Sequence, residues 1–273
     1  MGHSLCICSR GTVTIDNKRY LFIQKLGEGG FSYVDLVEGV HDGHFYALKR
    51  ILCHDEEDRR DALREVEMHR VFQHPNILPL EAHCLLEKGP KWEAWLLLPY
   101  LRRGTLWNEV ESLRDQNSFM SEERILHIFH GICLGLHAIH SKGYAHRDLK
   151  PTNVLLDDND SPLLMDLGSM NRAQIEVTNS RQALALQSLG CVLFCMMFGE
   201  GPYDMIFQKG DSVALAVQSN IPVPKTPRYS ESLMMLLSSI MVANPQERPH
   251  IPSVLHQLKE LQPIAIGQAT TRI

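Results

Sequence analysis

HRDLKPTN, residues 146–153, sets a carboxylate, a lysine and an amide within eight residues, and DLG follows at 166–168. Asp148 is a group that can accept a hydroxyl proton and orient an oxygen nucleophile, while Lys150 can neutralise charge on a phosphoryl group in transfer. Asn153 offers a neutral oxygen and Asp166 a charged one, the hard donors that Mg²⁺ takes. Catalytic residues cluster on loops that a rigid scaffold positions, so the elements on either side of this loop decide the fold.

Upstream the pattern is β-type. YLFIQKL at 20–26, VDLVEGV at 34–40 and FYALKRI at 45–51, with a turn at His41–His44, predict an antiparallel meander. Asp55–Phe72 changes to helical spacing, with Leu63, Val66 and Phe72 near one face. HPNI at 74–77 ends that helix, because Pro75 biases His74 away from the α region. Further strand character is predicted at Ile77–Leu85 and Trp92–Leu98. After Gly104 helices take over, at Thr105–Leu113 and Ser121–Ser141, with Ser121 as a favourable N-cap. Short loops and strands run to Met165, then helices are expected at Leu189–Phe198, Asp211–Gln218, Ser230–Met241 and Ile251–Leu261. The fold class is α+β, a small antiparallel β-rich lobe with one helix and then a larger helical lobe, joined near Pro99–Arg103.

Composition restricts the class further. The 273 residues are 44% hydrophobic and carry 27 Lys+Arg against 32 Asp+Glu, a net charge of −5. That excludes disorder, collagen and coiled coil, and no nucleic-acid partner is expected from so mild an acidic balance. Seven cysteines, an odd number without a framework spacing, indicate a reducing compartment. The longest apolar stretches, around Trp95–Leu98 and Cys191–Phe198, are far shorter than the ~20 residues of a membrane span. MGHSLCICSR holds no secretory signal, but loss of Met1 exposes Gly2, an acceptor for myristate, with Cys6 and Cys8 as thioester acceptors. One acyl chain binds marginally and a second stabilises the anchor. The usual motif has Ser or Thr at position 6, where this chain has Cys6.

GEGGFSYV at 27–34 lies between strands, where glycines let the backbone approach a phosphate. No GK[ST] follows and the next element is a strand, so it is not a Walker loop. YALK then sets Lys49 on a strand with Ala47 on the same face, and Glu65 lies on the charged helix that follows. Over residues 20–262 these motifs resemble the eukaryotic serine/threonine protein kinases, and the Gly2, Cys6, Cys8 lead with LGEGGFSYVDLVEG and MDLGSM is similar to the Numb-associated kinase family. Lys150, two residues after the base, points away from the tyrosine kinases.

The resemblance implies a bilobal protein-kinase fold: a lipidated segment at 1–19, an N-lobe at 20–101, a C-lobe at 102–262 and a tail at 263–273. It implies that Asp148 and Lys150 are catalytic and that Asn153 and Asp166 hold the metal, Mg²⁺ with Mn²⁺ as an alternative. ATP would be met by Leu26, Gly27, Glu28, Gly29, Gly30, Phe31, Ser32, Tyr33 and Val34 of the glycine-rich loop, and by Ala47, Lys49 and Glu65. Leu98 stands at the gatekeeper position, Pro99 and Leu101 at the adenine edge, and Leu155 with Val34 and Ala47 on the adenine faces. The implied partners are proteins with Ser or Thr acceptors and, through acylated Gly2, Cys6 and Cys8, the cytosolic face of Golgi and perinuclear membranes, with a cytoplasmic pool.

The chain also departs from the pattern. Between about residues 172 and 188 it is short by roughly 30 residues of activation segment, no APE motif occurs, and Ala185 and Gln187 replace an aspartate and a tryptophan at the opening of the next helix. Weak transfer, in a lipid-anchored nucleotide-binding or scaffold module, is therefore the alternative to full kinase activity. Arg248, in NPQERP, matches the arginine that pairs with the absent APE glutamate, and is expected to be solvated or paired with another carboxylate.

Overall fold

The computed structural model describes residues 11–29, 31–172, 175–204, 208 and 223–270, with backbone alone at 171–172, 175–185 and 262–270. Two compact units emerge: one holds the described residues up to His74 together with Leu78–Arg102, the other Pro75–Ile77 and the described residues from Arg103 onward.

The first unit is a six-stranded antiparallel sheet in the order β1-β2-β3-β4-β6-β5 with one helix. Its strands are β1 (Thr12–Ile15), β2 (Lys18–Glu28), β3 (Ser32–Gly39), β4 (Phe45–Cys53), β5 (Ala82–Lys88) and β6 (Lys91–Pro99). Alternation splits the apolar residues between two faces. Ile15, Tyr20, Val37, Leu48, Cys84, Trp95 and Leu97 form one cluster. On the opposite face Cys53, Ala94 and Leu96 pack with Ala62 and Val66 of α1 (Glu56–Val71). Asp55 caps α1 by accepting from the Glu57 and Asp58 amides, and the helix ends before HPNI as expected.

Three details differ from the sequence reading. β1 was not anticipated, since four residues of TVTI carry too short an alternation to stand out. Ile77 lies outside β5, because it belongs to the second unit, where it bridges Leu164, far along the chain. Leu63 is 38% exposed rather than on the inner face. The buried residues of α1 are Ala62, Glu65, Val66, Met68 and His69, so the helix turns a glutamate and a histidine inward. His69 has a use there, its Nδ1 lying 2.9 Å from the Leu78 carbonyl.

The second unit is mainly helical: α2 (Leu106–Asp115), α3 (Glu122–Ser141), α4 (Ile175–Phe198), α5 (Glu231–Ile240) and α6 (Ile251–Thr270). Ser121 caps α3 and Ser230 caps α5, each accepting from the amide three residues on. Ile125, Ile128, Phe129, Ile132, Leu136 and Ile139 of α3 are fully buried and form its centre. α4 begins at Ile175 and not at the expected Leu189, because its first turns, IEVTNSRQ, show little apolar periodicity. The helix expected at Asp211–Gln218 lies outside the described residues. Among the described residues, no helix is long and apolar enough to cross a membrane.

A short hairpin and a two-stranded pairing from distant parts of the chain carry the chemistry-bearing loops. β8 (Val154–Leu156) pairs with β9 (Pro162–Leu164), and β7 (Tyr144–Ala145) pairs with β10 (Asn171–Arg172). The first lies against α3 where Gly131 and Gly135 leave room. A Cβ at Gly131 would stand 2.6 Å from the Pro162 ring, and one at Gly135 would stand 2.8 Å from the Asn76 carbonyl. Asn76 completes the seat, donating Nδ2 to the Pro162 carbonyl and accepting the Leu164 amide, both at 2.9 Å.

Candidate active site

In the first unit the sheet register assembles one row. Gly27 stands opposite Val34, Val34 opposite Lys49, and Ala47 opposite Leu98, so these side chains share a face. It is also the face that α1 covers at Leu96, which stands opposite Lys49. The inward stripe of α1 brings Glu65 to the lysine: Lys49 Nζ lies 2.8 Å from Glu65 Oε1, with the side chains 17% and 6% exposed. A charge-assisted bond so shielded from water fixes the ammonium far better than a surface pair.

The glycine-rich turn closes through a bond from the Gly29 amide to the Ser32 carbonyl at 2.8 Å. Glu28, Ser32 and Tyr33 belong to the flanking strands, Phe31 is largely exposed, and Leu26 is an extra residue on β2 with no partner on β3. Gly30 lies outside the described residues, as do Gly2, Cys6 and Cys8. Pro99 ends β6 opposite Tyr46, and Leu101 follows in the segment leading out of the sheet.

In the second unit the β8–β9 register does the assembling. Val154 pairs with Leu164, and the next rung is the bond from the Met165 amide to the Asn153 carbonyl at 3.0 Å. Asn153 and Asp166 therefore arise at the same end of one hairpin, 13 positions apart in sequence. Asn153 is buried and donates Nδ2 to both the Asp148 carbonyl and Asp148 Oδ2, each at 2.8 Å. Lys150 Nζ reaches the same carboxylate oxygen at 2.9 Å. With the Asn153 nitrogen committed, its Oδ1 remains as an acceptor, and with the Asp166 carboxylate it supplies the oxygen donors a hard divalent cation takes. Leu155 is half-buried on β8 and bridges Thr105, the N-cap of α2.

Backbone strain accompanies this loop. Arg147 (φ 69°) and Asp166 (φ 62°) both occupy the left-handed region, at roughly 1–3 kcal/mol each. His146, fully buried and next to Arg147, donates its Nε2 proton to the carbonyl of Met165, next to Asp166, at 3.0 Å, which ties the two strained residues to one support. Burial pushes its imidazole well below the ordinary histidine range, so it stays neutral. β7 and β10 close the loop's base, Ala145 opposite Asn171.

A ring of four charges holds the far end of the hairpin. Arg124 grips Asp160 with two nitrogens, each at 2.9 Å, and reaches Glu109 at 2.5 Å. Arg103 contacts the same two carboxylates, at 2.5 and 3.3 Å. The arginines hold the Asp160 carboxyl below its usual range. Sequence reading missed Asn76, Glu109, Arg124 and Asp160 as supports; the only available signal was the glycine pair at 131 and 135 within an apolar helix, which marks close packing.

Arg248 is not solvated. It is 5% exposed, donating Nε to the Val242 carbonyl at 2.7 Å and an NH2 to the Ala243 carbonyl at 3.0 Å. Two acceptors of this guanidinium are backbone carbonyls, and burial lowers its affinity for the proton.

The sequence model of the protein kinase domain matches residues 20–184. This chain belongs to the protein kinase family. It is 62% identical to serine/threonine-protein kinase 16 of Rattus norvegicus and of Homo sapiens and 63% identical to that of Mus musculus, each alignment covering all of both chains. By family and by these relatives it is a serine/threonine protein kinase, a transferase that uses ATP and a divalent metal. The alignments run over 305 positions against a chain of 273, so at 305 − 273 = 32 positions the relatives have a residue and this kinase has none.

Proposed function

We propose that this kinase transfers the γ-phosphoryl group of MgATP to Ser or Thr hydroxyls of proteins at the cytosolic face of membranes, in the Golgi and perinuclear region. Asp148 accepts the hydroxyl proton and Lys150 neutralises charge on the transferring group, while Asn153 and Asp166 hold Mg²⁺. Lys49, fixed by Glu65, meets the α and β phosphates beneath the Gly27–Val34 turn, and Val34, Ala47, Leu98, Pro99, Leu101 and Leu155 receive the adenine. The observation that carries this reading is the pair of bonds from Asn153 Nδ2 to Asp148, at 2.8 Å each. One amide orients the base with its nitrogen and leaves its oxygen for the cation. Gly2, Cys6 and Cys8 support an acyl anchor.

The shortfall of 32 positions favours a second reading, a lipid-anchored nucleotide-binding module with weak transfer. Radiolabelled ATP transfer to a protein acceptor, run beside a nucleotide-dependent melting shift, separates the two. Under the first reading, transfer is present and vanishes in Asp148→Asn while the melting shift persists, and Lys49→Ala loses both. A melting shift with no transfer in the unaltered chain selects the module. Absence of both signals rejects the nucleotide-binding reading.

A further inference from the structure

β2 presents an unusual run of exposed apolar side chains: Leu21 (41%), Phe22 (45%), Ile23 (41%) and Leu26 (39%). The register explains it. Phe22 pairs with Val37 but Gln24 with Leu36, and Lys25 pairs with Asp35 but Gly27 with Val34. Each slip leaves an extra residue on β2, first Ile23 and then Leu26, and such bulges re-aim side chains. The outer edge is open as well. β1 pairs only with Lys18–Leu21, and the Phe22 amide donates to the Gly11 carbonyl at 2.9 Å. Among the described residues, no strand pairs with that edge from Ile23 to Glu28. An open apolar edge invites a partner unless something covers it.

The position of Gly11 selects the occupant. Cys8 precedes it by three residues and Cys6 by five, so a chain acylated there holds the bilayer within roughly 11 to 18 Å of Gly11, the most that three to five residues can span. Gly11 is itself bonded to Phe22. We propose that Phe22 and the bulged Ile23 dip into the interface of the bilayer to which the acyl anchor tethers this kinase, so that the membrane orients the first unit and does not merely retain it. The proposal rests on the anchor reading given above. Charge around the strip is balanced, Lys18, Arg19 and Lys25 against Asp16, Glu28 and Glu38, with Lys25 and Glu28 paired to each other. Attraction to anionic lipid is therefore not the driving force, and phosphatidylcholine alone should suffice. Once the chain is tethered, the second contact is intramolecular, and a modest apolar gain is enough to hold it.

The test uses the acylated full-length protein, purified from eukaryotic cells, on phosphatidylcholine vesicles. Wild type should partition to vesicles, Gly2→Ala should not, and the double variant Phe22→Ser/Ile23→Ser should partition at least about ten-fold more weakly, the scale set by burying the exposed 45% and 41% of two large apolar side chains. Both substitutions are at exposed positions, and melting temperature and nucleotide shift should match wild type. Vesicles should also slow amide exchange over residues 18–28 of the wild type, a readout that holds even if the variant misfolds. Unchanged exchange there, or wild-type partition by the double variant, overturns the proposal while leaving the anchor intact. A dimer that the double variant converts to monomer without changing partition assigns the strip to a second copy and also overturns it. Wild type that stays in solution, or Gly2→Ala that partitions fully, removes the anchor reading itself.

Discussion

Gly27 is a glycine that the protein does not need for its own sake. It avoids the left-handed region, and a Cβ built there meets nothing within 4 Å. Gly27→Ala should therefore leave the fold intact or firmer by up to about 1 kcal/mol, as alanine replacing glycine in a strand does. If the space serves a phosphate, the nucleotide-dependent melting shift should shrink in the same variant. A destabilised variant with a full nucleotide shift would assign Gly27 to folding instead. His140 makes a different demand. Burial, with His137 and His146 nearby, pushes its imidazole down to about 4, against ~6.5 in an unfolded chain. Between those values the unfolded chain binds a proton that the folded one refuses, so stability is full above about pH 6.5 and falls as the pH drops toward 4. The gap is worth on the order of 3 kcal/mol, and burial moves His83, His130 and His146 in the same direction. Urea midpoints should fall between pH 7.5 and pH 5.5, and His140→Gln should flatten that slope. Equal midpoints at the two pH values would contradict the assignment.

The β8–β9 hairpin shows how one element converts packing into chemistry. It carries Asn153 at one end and is seated on α3 through Gly131 and Gly135, with Asn76 satisfying its backbone. At Gly135 the obstacle to a side chain is a backbone carbonyl 2.8 Å away, which cannot swing aside as a flexible side chain would. Gly135→Ala should cost about 1–3 kcal/mol by overpacking. Because the hairpin must move to relieve it, the metal dependence of transfer should shift to higher concentration. Gly143→Ala, where a Cβ meets nothing but φ is 77°, is the control: strained, yet away from the hairpin seat. Local signals were legible at this scale. Ser121 announced α3, the alternation of FYALKRI announced β4, and HPNI announced the end of α1. What escaped were features fixed by distant partners: Ile77 bridging Leu164, the inward turn of His69, and the ring joining Arg103, Glu109, Arg124 and Asp160. No window of sequence contains both halves of such contacts.

Across the whole chain, the residues that bear on chemistry were readable because each sits in a compact motif whose composition states its purpose. HRDLKPTN, DLG and the glycine-rich turn needed no tertiary information to be found. The scaffold that aims them was only partly readable, since neutral His146 under Met165 and the strained φ of Arg147 and Asp166 follow from a loop closed by β7 and β10. The same division predicts what the 32 absent positions do. Each support of the catalytic loop described above, from Asn76 to the β8–β9 hairpin, is made by residues this chain retains, so nucleotide and metal binding should not require the absent positions. Positioning of a protein acceptor is a separate task, and misplacement by about 1 Å costs on the order of 100-fold in rate. Restoring about 30 residues of activation segment between positions 172 and 188, where the motif spacing is short, should therefore raise kcat for a protein acceptor by one to two orders of magnitude, leaving KM for ATP within about two-fold. If KM for ATP falls in step and kcat stays put, the absent stretch supports the nucleotide rather than the acceptor, and the supports described for the loop are insufficient by themselves.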